Sequence, residues 1–356
     1  MEKQRKQREI PPLRILENRG LVTAWAHRRE MVQHLLCQWE YGFLPPSPQA
    51  VWGEILHQES DYCGGKAIFR KVHLHIQLSE ACTFSFPVYQ VLPKGVSQPP
   101  VVVFLNFRDA VPDRYLPSEE ICDHGVAVTS FCYTDVTSDD GDFSNGLAGA
   151  LKIDRRPGQP GKLALWAWAA SRVADWLIKQ GETDSKRMAV AGHSRLGKTA
   201  LLAGAMDTRF GLVWSNDSGC SGAALHRGKE GERISDIWGR FPFWFCTDFA
   251  RYAGHENQLP FDQHDLLSLI APRRLYVSSA SEDSWADPVS EFLACAAAQK
   301  AWEVQGLSGL GRTEPLIVPG YCHGGQVGYH LRAGTHYVTR EDWQLFLKFS
   351  GWSCRK

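Results

Sequence analysis

Met188-Ala189-Val190-Ala191-Gly192-His193-Ser194-Arg195-Leu196-Gly197-Lys198 decides how this chain folds. A short apolar run enters a glycine-flanked serine, and the chain leaves it as an alanine- and leucine-rich helix over Lys198–Ala205. A strand that turns sharply into a helix through a serine is a nucleophile elbow. The turn is tight, so residues beside the serine must be small or lack a Cβ. The hydroxyl is pushed to the top of a sheet, and the helix aims its free N–H groups at the same spot.

Outward from the elbow, strands and helices alternate. Val101-Val102-Val103-Phe104-Leu105 and Gly125–Phe131 are continuous apolar runs, as in buried parallel strands. Leu212–Ser215 and Arg274–Ser279 read as further strands, and Pro315-Leu316-Ile317-Val318 as a weaker last one. Leu163–Lys179 is a helix with Trp166, Ala170, Val173, Ala174 and Leu177 on one face. Val289–Trp302 and Arg340–Phe349 are helices too. The start differs. Leu21–Glu40 reads as a helix stopped by Pro45-Pro46-Ser47-Pro48, Val72, Leu74, Ile76 and Leu78 alternate with polar residues, and Thr83–Leu92 is the hairpin partner. The pattern predicts one α/β-hydrolase domain over 1–356, a three-layer sandwich with a mostly parallel central sheet and an antiparallel N-terminal part. The N-terminal helix and antiparallel strands take 1–95, the catalytic core 96–356. Tyr133–Pro160 is a long loop, and 219–264 is an aromatic insertion expected to rim a pocket.

Composition narrows the function classes. Lysine plus arginine and aspartate plus glutamate both number 39, so net charge is zero and no basic stripe points to nucleic acid. No run nears the roughly 18 apolar residues of a membrane span. Met1–Pro12 is charged and lacks an apolar segment, so a secretory signal is not expected and a cytoplasmic location is. The 10 cysteines show no metal-ligand spacing and are expected to be reduced thiols. Oligomeric state is not legible. The 13 tryptophans serve mostly as core, though some suit sugar rings.

A serine hydroxyl needs an imidazole as base and a carboxylate to hold that imidazole. In this fold the chain order is Ser, acid, His. Asp283, after the Arg274–Ser279 strand, stands where the acid belongs; Glu282 and Asp287 are rivals, and Asp287-Pro288 also reads as a helix N-cap. His336, in Gly334-Thr335-His336 before the last helix, is the expected base, with His323 and His330 nearby. Oxyanion donors are expected from the Arg195 backbone N–H and from Asn106 or Phe107 after the first parallel strand. The Arg195 guanidinium either adds charge there or makes a surface ion pair. The elbow departs from G-x-S-x-G, because Leu196 occupies the second glycine's place and Gly197 follows it.

Gly192-His193-Ser194-Arg195-Leu196-Gly197-Lys198 resembles the glucuronoyl esterases, carbohydrate esterase family 15, and related bacterial acetylxylan esterase-like proteins. The likeness extends from Val101 through Leu163–Trp176, Ser215-Asn216-Asp217-Ser218-Gly219 and Trp285-Ala286-Asp287-Pro288 to Gly328-Tyr329-His330 and His336. It implies hydrolysis of uronic acid esters without metal or cofactor. It implies Ser194 as nucleophile, His336 as base, Arg195 at the oxyanion, and Lys198, Glu232 and Trp285 around the sugar. Many members carry the acid earlier, at the position of Asp217, which is therefore the alternative to Asp283. The family's sugar-contacting glutamine falls near Arg240, with no counterpart. The expectation is a serine esterase acting on a carbohydrate ester through a Ser-His-Asp triad. An O-acetyl esterase on xylan or pectin fragments is the alternative, and a non-catalytic sugar-binding relative is the alternative from another class.

Overall fold

A computed structural model describes Leu13 and residues 21–352. Ten strands make one sheet: β1 Ala50–Tyr62, β2 Ala67–Ser79, β3 Cys82–Pro93, β4 Val101–Asn106, β5 Ala127–Cys132, β6 Met188–His193, β7 Leu212–Asn216, β8 Arg274–Ala280, β9 Gly320–Cys322 and β10 Val327–Arg332. Their order is β1-β2-β3-β5-β4-β6-β7-β8-β10-β9. β1, β2 and β3 are antiparallel, β3 meets β5 antiparallel, and β5 through β10 run parallel before the short antiparallel β9.

Alternation along the buried strands makes the layers. Val101, Val103 and Leu105 of β4 join one core with the helices α2 (Lys162–Gln180) and α3 (Arg195–Met206). Val102 and Phe104 face the other way, against Trp343, Phe346 and Phe349 of α5 (Arg340–Ser350). With both faces covered, each central strand reads as an unbroken apolar run. Between β8 and β9 lies α4, Pro288–Ala298. The first helix, α1, covers Leu21–Leu36 and continues as a π-helical turn over Cys37–Tyr41. The nine cysteines among the described residues are free thiols, and Cys354 lies outside those residues. No helix among the described residues is long and apolar enough to cross a membrane.

Two expectations change, and β1 and β10 are strands the sequence reading did not include. Pro315–Val318 is not a strand; Ile317 and Val318 are 66% and 63% exposed, because β10 takes the place beside β8, with Val327 opposite Leu275. Its Val-Gly-Tyr-His-Leu-Arg is buried despite two basic residues, since Asp342 satisfies both: His330 Nε2 lies 2.7 Å and Arg332 Nε 2.9 Å from its carboxylate. β1 carries no apolar alternation, being an exposed edge strand. The Tyr133–Pro160 segment contains helical turns at Tyr133–Val136 and Gly146–Ala150. The buried Lys162 ammonium ties this segment down, donating to Thr137 Oγ1 at 3.0 Å and to the Asp142 carbonyl at 2.6 Å.

Candidate active site

Ser194 stands alone between β6 and α3, at φ 57° and ψ −126°. A non-glycine residue held there is strained, and the surroundings must fix it. Its N–H donates to the Asn216 carbonyl of β7 at 2.9 Å. A Cβ on Gly192 would meet the Leu196 carbonyl oxygen at 2.2 Å, so β6 and α3 can approach this closely only with glycine. Leu196 is fully buried in the core. The second close approach falls instead at Gly197, where a Cβ would lie 3.1 Å from both the Asn216 carbonyl oxygen and Ser215 Oγ. The one-residue displacement of the second glycine thus follows from packing.

Asp283 follows β8, and His336 sits in the loop between β10 and α5. His336 Nδ1 lies 2.6 Å from Asp283 Oδ2. Burial raises the Asp283 carboxyl, but the hydrogen bond and charge of His336 outweigh it and hold the acid below its ordinary range. The carboxylate therefore accepts the Nδ1–H, leaving Nε2 free to take a proton. The Ala286 N–H donates to the other Asp283 oxygen at 3.2 Å. His193 packs under His336, ring centroids 4.4 Å apart. Burial, then the proximity of His336, pushes His193 down to about 3 against the bond to Asn216, so this neighbour stays neutral. Ser194 and His336 line the same pocket, with no hydrogen bond between them among the described contacts. Such loose geometry is common before substrate draws nucleophile and base together.

The alternative acid is also close. Asp217, Asp283 and His336 each bring a donor atom within 4.8 Å of the others, a spacing a metal could use. Asp217, however, faces Arg332, with Nη2 3.2 Å from Oδ2, and that oxygen also lies 3.4 Å from the Tyr337 N–H. Asp283 and His336 already satisfy each other, and Arg332 puts a positive charge beside the space a cation would take. Of the rivals, Glu282 is exposed, and Asp287 caps α4 by accepting the Ser290 N–H at 3.1 Å. His323 and His330 flank the Tyr276 hydroxyl at 3.0 and 2.7 Å and line neither pocket described here.

Arg195 opens α3, so its backbone N–H belongs to the first turn, which lacks intrahelical acceptors. Its guanidinium pairs with Asp139 and lies 4.7 Å above the Trp244 ring. Asp139 is itself held by the Tyr133 hydroxyl at 2.8 Å and Trp244 Nε1 at 2.6 Å. Arg195 Nε has no acceptor among the described residues. Of the two positions expected after β4, Asn106 is fully buried and lines neither pocket, while Phe107 lines the second one with Ser194. The Asn106 Oδ1 accepts the Phe107 N–H at 2.8 Å, so that donor is committed.

Two pockets meet at Ser194, Arg195 and His336. The first, about 350 Å³, is walled by Lys198, Glu232 and Trp285, with Arg240, Phe241 and Trp244 from the 219–264 segment. Lys198 Nζ donates to the Ser218 and Cys220 carbonyls, the latter at 2.7 Å, and lies 3.8 Å from Glu232. Trp285 stands 44% exposed at the rim, under the Arg240 guanidinium at 5.2 Å. The second pocket, about 430 Å³, is walled by Phe107, Arg108, Arg114 and Tyr115. Sequence reasoning missed Asp139, Trp244, His193 and Arg332, whose roles come from partners distant along the chain; the one local signal was Arg332, four residues before His336 at the end of its strand.

A family model described as "Glucuronyl esterase, fungi" matches residues 77–306. The chain is 44% identical over 231 residues to "Carbohydrate esterase MZ0003" from an unknown prokaryotic organism, covering 64% of this chain and 53% of that protein. It is 32% identical over 295 residues to the 4-O-methyl-glucuronoyl methylesterase of Podospora anserina, covering 79% and 56%. The chain thus spans about half the length of these curated relatives. The solved structure of a glucuronoyl esterase from Solibacter usitatus superposes with a TM-score of 0.88 at 32% identity, covering 97% of each chain. With the matched segment running from β2 past α4 and the superposition taking in nearly every strand and helix, the chain belongs to the glucuronoyl esterase family, carbohydrate esterase family 15.

Proposed function

We propose that this chain is a serine carboxylic ester hydrolase that cleaves an ester of a uronic acid carboxylate, the activity named for its relatives. The observation that carries the reading is the 2.6 Å bond between His336 and Asp283 in a pocket shared with the strained Ser194. His336 Nε2 takes the Ser194 proton as Oγ attacks the ester carbon. The resulting oxyanion meets the Arg195 N–H and guanidinium charge. Collapse breaks the bond to the alcohol, which leaves with the proton from His336. Water, deprotonated by the same imidazole, then releases the uronate and restores Ser194. The Lys198–Glu232–Trp285 pocket suits the uronate half, offering a cation, an acceptor and a flat ring. Methyl glucuronate and p-nitrophenyl acetate test the reading. Ser194→Ala should lose both activities, and wild-type turnover in that variant would refute it.

A further inference from the structure

The second pocket carries a charge that the uronate half does not use. If Lys198, Glu232 and Trp285 hold the acyl half on one side of Ser194, the alcohol half lies on the other, against Phe107, Tyr115, Arg108 and Arg114. The charges there do not cancel. Arg195 is paired with Asp139, and Arg108 has Asp113 at 3.6 Å. His193 is neutral. Arg114 has no carboxylate partner among the described residues. It is exposed, lying 5.5 Å over the Tyr115 ring and 5.9 Å over the Tyr337 ring, beside the histidine that protonates the leaving alcohol. Arg108 also lies 4.6 Å from the Tyr115 ring centroid, and its Nη2 lacks an acceptor among the described residues. The two guanidiniums and the Tyr115 ring form a positively charged aromatic shelf where the departing alcohol must pass.

We infer that this pocket selects esters whose alcohol half carries a carboxylate, with Arg114 as the specificity-determining residue. The inference rests on the esterase reading above. A carboxylate on the alcohol would face the unpaired guanidinium, while a neutral alcohol would meet only the rings. Because Arg114 is exposed, the gain is that of a surface charge pair, about two- to fivefold, and salt should screen it.

The test compares kcat/KM for the benzyl and 4-carboxybenzyl esters of glucuronic acid. Wild type should favour the carboxylated ester about two- to fivefold at low salt, and the preference should fall toward one in 0.5 M NaCl. Arg114→Gln should abolish the preference and Arg114→Glu should reverse it. Equal cleavage of both esters by wild type, or a preference unmoved by Arg114→Gln, overturns the inference and leaves the esterase reading standing. Cleavage of neither ester overturns both. The salt dependence of wild type decides the matter even if a variant fails to fold.

Discussion

Exchanging the two carboxylates beside His336, one at a time, separates their roles. In Asp283→Asn the 2.6 Å partner of Nδ1 loses its charge and can present an N–H to the ring. Two losses combine. The imidazolium formed in each step loses an anion whose charge centre lies about 4 Å from its own, worth about 4 kcal/mol at an effective dielectric near 20 and about 1 kcal/mol in water. His336 is 44% exposed, so the truth lies between these limits. The amide also favours the wrong tautomer, an exchange that costs about 10⁴ in turnover in a triad of this kind. We expect kcat/KM to fall by about 10³–10⁴. Asp217→Asn should cost far less, about tenfold, because Asp217 contacts Arg332 at 3.2 Å rather than the imidazole, and burial raises its carboxyl well above the usual range so that little charge is lost. Steady-state kinetics on methyl glucuronate, with circular dichroism to confirm folding, compares the two. If Asp217→Asn loses as much as Asp283→Asn, the assignment of the acid is wrong.

Asp139→Ala removes the carboxylate that orients Arg195; kcat should fall about tenfold with little change in KM, against about 10² for Arg195→Met, and a loss seen in KM alone would contradict this role. Leu196→Gly restores the usual second glycine but empties a fully buried site, so urea unfolding should show a loss of about 2–5 kcal/mol; unchanged stability would refute the packing account of the displaced glycine. Glu291 supports the Ser218–Gly219 turn, accepting the Gly219 N–H at 2.9 Å. Burial drives its carboxyl up to about 7, against the hydrogen bonds from Ser279 and Gly219. A group raised in the folded state contributes stability that is full below its unfolded value near 4.5 and is lost as pH rises through about 7. Glu291→Gln should therefore flatten the fall in urea midpoint between pH 4.5 and 7.5, and an unaltered slope would count against a buried neutral Glu291.

What could be read from the sequence was what local pattern encodes. β4, β5, β6, β7 and β8 were legible because strands covered on both faces need unbroken apolar runs. The convergence of Asp283 and His336 beside Ser194 was legible because chain order in this fold is fixed by topology. β10 was not, since His330 and Arg332 look wrong for a buried strand until Asp342 is known to satisfy them, and Gly328 until Phe349 and Tyr276 are seen to crowd it. Pro315–Val318 misled for the opposite reason: apolar residues without a neighbouring strand carry no pairing information. The oxyanion donor expected at Asn106 or Phe107 came from position after β4 alone; no local pattern shows that the Asn106 side chain accepts the Phe107 N–H.

The two carboxylates near His336 divide the work because of Arg332. Its guanidinium bridges Asp217 and Asp342, both buried. It also donates to the carbonyls of Ala333 at 3.0 Å, Thr335 at 2.9 Å and Tyr337 at 2.5 Å. These carbonyls bracket His336, so one cation from the end of β10 fixes the loop that carries the base. A buried cation of this kind needs an anion. Asp342 supplies it, since burial is outweighed there by His330 and Arg332, which hold its carboxyl below the ordinary range. Burial raises the Asp217 carboxyl, which contacts the same guanidinium. Asp217 thus acts on His336 through Arg332 and the Tyr337 N–H, while Asp283 touches the ring directly. In this chain Asp217 helps hold the loop, because the group it spans to is Arg332, not the imidazole. On this argument Arg332→Met should displace His336 and lower kcat on methyl glucuronate at least as much as Asp217→Asn, and a higher kcat than that of Asp217→Asn would refute it.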